Sequence, residues 1–99
     1  MQEKRTHARA RINLPVTCEF ADGTVLPGEG RDLSIGGMFV AAPAQPPFNS
    51  RVTIVVPLGG AQPSRVPAVV RWSKSDGFGV QFGLLGAVET HLIAKLLRP

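Results

Sequence analysis

A chain of 99 residues, 43% hydrophobic and 18% charged, has the composition of a folded globular protein and the length of one domain. A single cysteine excludes an internal disulfide, and one cysteine with two histidines cannot supply the four ligands of a structural zinc site. The formal net charge of +4 favours an anionic partner, yet falls short of the roughly six to ten phosphate contacts of a strong nucleic-acid binder.

The start, MQEKRTHAR, is polar and basic, with no apolar segment of the kind a secretory signal needs. No run approaches the roughly 18 apolar residues of a membrane-spanning helix, so the expectation is a cytoplasmic domain. Residues 1–11 carry Lys4, Arg5, Arg9 and Arg11 against Glu3 and read as a flexible basic arm, with residues 12–99 as the folded body.

Ile12, Leu14, Val16, Cys18 and Phe20 alternate with polar residues and proline, the period of a strand with one face buried. Pro15 cannot donate a ladder hydrogen bond, which predicts an edge position or a bulge there. Ala21-Asp22-Gly23 is a turn signal. Arg31 to Leu33 reads as a brief pairing segment. Gly36 and Gly37 are expected to allow positive φ and close backbone approach, and Met38 to Ala41 resumes an extended run. Residues 42–50 form a proline-rich loop. Val52 to Val56 is a β-branched strand. Val66, Ala68, Val70 and Trp72 alternate again, Ser75-Asp76-Gly77 makes a hairpin turn, and Phe78, Val80 and Phe82 answer.

In this phase Phe20, Trp72, Phe78 and Phe82 fall on the apolar side and read as core, leaving Phe39 and Phe48 as the candidates for exposed aromatics. The final segment changes period: Leu85, Val88, Leu92 and Leu96 recur at helical spacing, with Ile93 and Leu97 alongside. Residues 86–97 therefore form an amphipathic closing helix. Six short strands followed by one helix predict an all-β fold, a six-stranded antiparallel barrel with a C-terminal α-helix covering an open end.

Catalytic groups do not assemble. Ser34 has Asp32 two residues away but no imidazole base in reach, and Cys18 is in phase with the buried face of its strand. Single-stranded nucleic acid needs an exposed aromatic platform, and two spare phenylalanines make a weak one. Two stretches remain, RTHAR and DLSIGG. Arg5 and Arg9 are planar forks that take phosphates or the O6/N7 edge of guanine bidentately. Asp32 offers acceptors to the guanine N1–H and N2–H₂ edge, which adenine lacks. Ser34, at i+2 in an extended segment, adds a hydroxyl on the same face. Arginines four apart arise by chance about 0.6 times in a chain of this composition; an Asp or Asn followed by x-Ser-x-x-Gly arises roughly 0.03 times, so the second stretch carries the weight.

With these residues the chain resembles the PilZ domain family of cyclic di-GMP receptors. The family's RxxxR matches Arg5-Thr6-His7-Ala8-Arg9, and its [D/N]xSxxG matches Asp32-Leu33-Ser34-Ile35-Gly36-Gly37, with Gly37 in the last position. A third match is Val70-Arg71-Trp72 followed by Gly77-Phe78-Gly79-Val80-Gln81-Phe82. The resemblance implies a PilZ-type barrel, not an enzyme, needing no cofactor. Its ligand would be cyclic di-GMP, held by Arg5, Arg9, Asp32 and Ser34 with Gly36 and Gly37 keeping the turn open; Lys4 and Arg11 are further candidate contacts. The implied output is ordering of the arm and docking of a protein partner in motility, polysaccharide or transcription control. A PilZ-like interaction module that binds no nucleotide is the alternative.

Overall fold

A computed structural model of the protein describes residues 9–98, Arg9 by its backbone only. Six strands close into an antiparallel barrel: β2 (Leu14–Phe20), β3 (Val25–Arg31), β5 (Gly37–Ala41), β6 (Arg51–Val56), β7 (Ser64–Lys74) and β8 (Gly77–Phe82). Around the wall they run β2-β3-β5-β8-β7-β6 and return to β2. Outside this ring, β1 (Arg9–Ala10) pairs antiparallel with β4 (Leu33–Ser34). Helix α1 (Ala87–Leu97) follows and lies against β1 and β4. The expected barrel and closing helix are both present.

Alternation along the strands fills the interior. Val16 and Cys18 from β2, Val40 from β5, Ile54 from β6, Val66 and Val70 from β7 and Phe78 from β8 are buried in one cluster. Burial is the dominant favourable contribution, worth about 1.5–3 kcal/mol for each large side chain removed from water. Leu33 and Ile93 join the cluster from the cap. Helix α1 therefore ties strand β4 to the barrel core. On α1 the buried face is narrower than its spacing predicts: Ile93 is fully buried, whereas Val88 is 64% exposed. Pro15 sits opposite Glu29 of β3, beyond the end of the β2–β6 ladder, which begins at Thr17; its missing N–H costs no pairing on that side.

Two expectations about the barrel strands are overturned. The strand read at 31–33 is a seven-residue strand at Val25–Arg31, with Leu33–Ser34 split off as β4. Pro27, Gly28 and Gly30 disguise it, because all three are poor strand formers. The glycines are there for close approach: a Cβ at Gly28 would lie 2.7 Å from Val40 Cγ1, and one at Gly30 would lie 2.6 Å from Met38 Sδ.

Trp72 is the second correction. The β7–β8 register shifts between Val70 and Trp72, so Arg71 is an extra residue in a bulge. A bulge puts consecutive side chains on the same side. Val70 is buried, but Arg71 and Trp72 both face outward, with Trp72 48% exposed. Its indole lies across Gly79, where any Cβ would collide with Trp72 Cε2 and Nε1.

Candidate functional site

The DLSIGG stretch is a tight turn built by its own serine. Ser34 Oγ accepts hydrogen bonds from the N–H groups of Gly36 and Gly37, each at 3.2 Å, and donates to the Gly37 carbonyl at 3.4 Å. Ser34 is only 3% exposed, so its hydroxyl is spent on the turn. Asp32, by contrast, is exposed and has φ 51°. The left-handed conformation at Asp32 breaks the strand alternation. Asp32 and Ser34 therefore do not share a face as the spacing suggested. Asp and Asn are the non-glycine residues that occupy this region most readily, which gives a backbone reason for their presence at this point of the motif.

Neither Gly36 nor Gly37 uses positive φ, which among glycines occurs at Gly23, Gly59 and Gly77. Gly37 instead permits a close strand pair. It lies opposite Gln81 in the β5–β8 register, and a Cβ there would collide with the Val80 carbonyl oxygen. The Gly36 carbonyl accepts from the Phe82 N–H at 2.9 Å, locking the turn to the end of β8.

The two stretches far apart in sequence meet here. Arg9 pairs with Ser34 and Ala10 with Leu33, so the backbone of the second arginine of RTHAR runs beside the motif turn. Arg11 follows directly and is exposed. Lys4 and Arg5 lie outside the described residues.

Beside the turn a groove of about 340 Å³ runs over the outside of the barrel. Its lining includes Ser34, Gly36 and Gly37 of the turn together with Phe39, Arg71, Trp72 and Gln81. Phe39 and Trp72 are stacked, with ring centroids 5.5 Å apart and planes 15° from parallel. Lys74 Nζ lies 5.3 Å from the Phe39 centroid and 5.8 Å from that of Trp72. Residue spacing missed this aromatic step because it follows from the bulge; the only available signal was the V-x-W, G-x-G pairing itself. Among the described residues no cluster of three metal-ligating side chains occurs.

A closed barrel thus carries a short N-terminal strand paired to a serine-stapled turn, beside an aromatic groove. The PilZ domain family model matches residues 3–98, and the chain belongs to the PilZ domain family. None of the curated proteins compared matches it. Among solved structures it is similar to the PilZ domain of CeSA from a cellulose-synthesizing bacterium, at 24% identity and TM-score 0.72, covering 90% of this chain and 93% of that one. It is also similar to the PilZ domain of Escherichia coli YcgR, solved with c-di-GMP, at 18% identity and TM-score 0.73, covering 96% and 89%. A third neighbour is the Bacillus subtilis inhibitor of motility MotI/DgrA, at 16% identity and TM-score 0.74; the match covers 97% of this chain and half (50%) of that one. These likenesses show the fold.

Proposed function

We propose that this chain is a receptor for cyclic di-GMP that signals through protein contacts. The observation that carries the reading is the β1–β4 ladder, which brings the backbone of Arg9 alongside Ser34 of the motif. In this reading the arginine forks and the Asp32 carboxylate serve one ligand. Arg5 and Arg9 take phosphate and guanine acceptors, Asp32 takes the guanine N1–H and N2–H₂ donors, and the Phe39–Trp72 step gives a purine a face to stack on. Lys4 and Arg11 add positive charge. Ser34, Gly36 and Gly37 act by shaping the turn. Ligand binding neutralises the basic arm and orders the segment ahead of the β1–β4 ladder over the barrel, creating a composite surface for a partner in motility, polysaccharide or transcription control.

Calorimetry tests this directly. Saturable heat with cyclic di-GMP, none with cyclic di-AMP, and loss of the signal in Arg5→Ala/Arg9→Ala are the expected results. A folded protein that takes up no cyclic di-GMP would leave the interaction-module reading in its place. Arm closure is read by hydrogen exchange over residues 1–11; unchanged protection at saturating ligand would remove that step.

A further inference from the structure

Within the cyclic di-GMP reading, on which this inference rests, one guanidinium in the groove has no role yet. The β7 bulge sets Arg71 and Trp72 side by side on the outer wall, next to the motif turn. Arg71 is held from two other segments. Its Nε donates to Gln81 Oε1 on β8 at 2.7 Å, and Nη1 donates to Asn49 Oδ1 in the proline-rich loop at 2.9 Å. Its Cζ also stands 5.8 Å from the centroid of the Phe48 ring. The fork is thus oriented, and among the described residues only two of its N–H groups are engaged; a guanidinium carries five.

Fastening the loop does not account for this arrangement. The loop is already tied to β7 by Asn49 N–H to the Val70 carbonyl at 2.8 Å, Val70 N–H to the Ser50 carbonyl at 2.9 Å, and Ser73 Oγ to the Pro46 carbonyl at 2.8 Å. Arg71 is spare to that purpose and faces the groove.

We propose that Arg71 is a specificity-determining residue that reads the O6/N7 edge of a guanine stacked on Trp72, with Gln81 and Asn49 as its positioning residues. Guanine presents two acceptors on that edge, which two N–H groups of one guanidinium satisfy together; adenine presents an acceptor and a donor there, and cytosine a donor. A bulge suits this task, since one residue supplies the stacking face and its neighbour the edge contact. With Asp32 taking the guanine N1–H and N2–H₂ donors in the reading above, Arg71 adds a second, independent ground for rejecting adenine.

The test is a cycle of two proteins and two ligands, followed by calorimetry and by quenching of Trp72, the single tryptophan. The ligands are cyclic di-GMP and its 7-deazaguanine analogue, which lacks the N7 acceptor. The native chain is expected to bind the analogue about tenfold more weakly, the range set by losing part of a bidentate contact. Arg71→Ala is expected to bind cyclic di-GMP at least about tenfold more weakly and to narrow the gap between the two ligands, leaving only what Arg5 and Arg9 contribute. Arg71→Met keeps the stem against Phe48 and is the second variant should the alanine form fail to fold; it is expected to narrow the gap too. Undiminished N7 sensitivity in either folded variant would overturn the assignment while leaving the receptor reading intact. Failure of the native chain to bind cyclic di-GMP would overturn both.

Discussion

At the scale of single residues, the motif divides into groups that meet solvent and groups that build the turn. Ser34 Oγ accepts from two backbone N–H groups of the turn, those of Gly36 and Gly37. Ser34→Ala is therefore expected to lower stability by about 1–3 kcal/mol, the cost of stranding buried donors. Chemical denaturation measures this, and an unchanged midpoint would show that water replaces the hydroxyl. Asp32 combines a carboxylate with a left-handed backbone, and substitutions separate the two. Asp32→Ala loses both and is expected to cost roughly 1 kcal/mol of stability as well as ligand affinity. Asp32→Gly relieves the backbone but still removes the carboxylate, so it is expected to fold normally and bind weakly. Equal binding by Asp32→Gly and the native chain would remove the carboxylate from the site.

At the scale of elements, the consequential feature is the bulge in β7. Regular alternation would have put Trp72 beside Phe78 in the core; the register shift turns it outward over Gly79. Gly79→Ala is expected to drive the indole off the wall and break its stack with Phe39, changing the position and intensity of tryptophan emission. An emission spectrum identical to that of the native chain would show that the strand yields instead. The β2 strand was readable from its own residues because Val16 and Cys18 bury one face in strict alternation. Strand β3 was not, because Gly28 and Gly30 answer to Val40 and Met38 of β5 rather than to any local preference, and Pro27 is a third poor strand former.

At the scale of the molecule, the barrel interior is sealed, and Cys18 reports on it. Burial raises its thiol pKa from 9.0 to about 11. The thiolate then forms more readily in the unfolded chain than in the folded one. This contribution to stability is complete below pH 9 and is lost as pH rises through about 11. The fall in stability between those limits is expected to be shallower in Cys18→Ala. A disulfide reagent such as Ellman's is expected to leave the native thiol unmodified at neutral pH and to titrate one thiol in denaturant. Prompt reaction of the folded protein would mean the barrel opens locally at β2. Helix α1 adds to this closure, since Ile93 joins the core and the helix lies against β1 and β4, the strands of Arg9 and Ser34.

Alternating side chains, turn residues and the change to helical period determine by themselves an antiparallel barrel with a closing helix, since those patterns follow from local geometry and the need to bury one face. The DLSIGG spacing, with the arginine pair ahead of it, likewise points to the family, because Asp32 suits a left-handed backbone, Ser34 staples the turn and Gly37 permits a close strand pair. What only the tertiary structure decided depends on contacts between distant segments. The Arg9–Ser34 pairing, the Gly28 and Gly30 fit against β5, the outward Trp72 and the tethered Arg71 each depend on two strands at once. A single chain segment contains no record of the partner that sets its register.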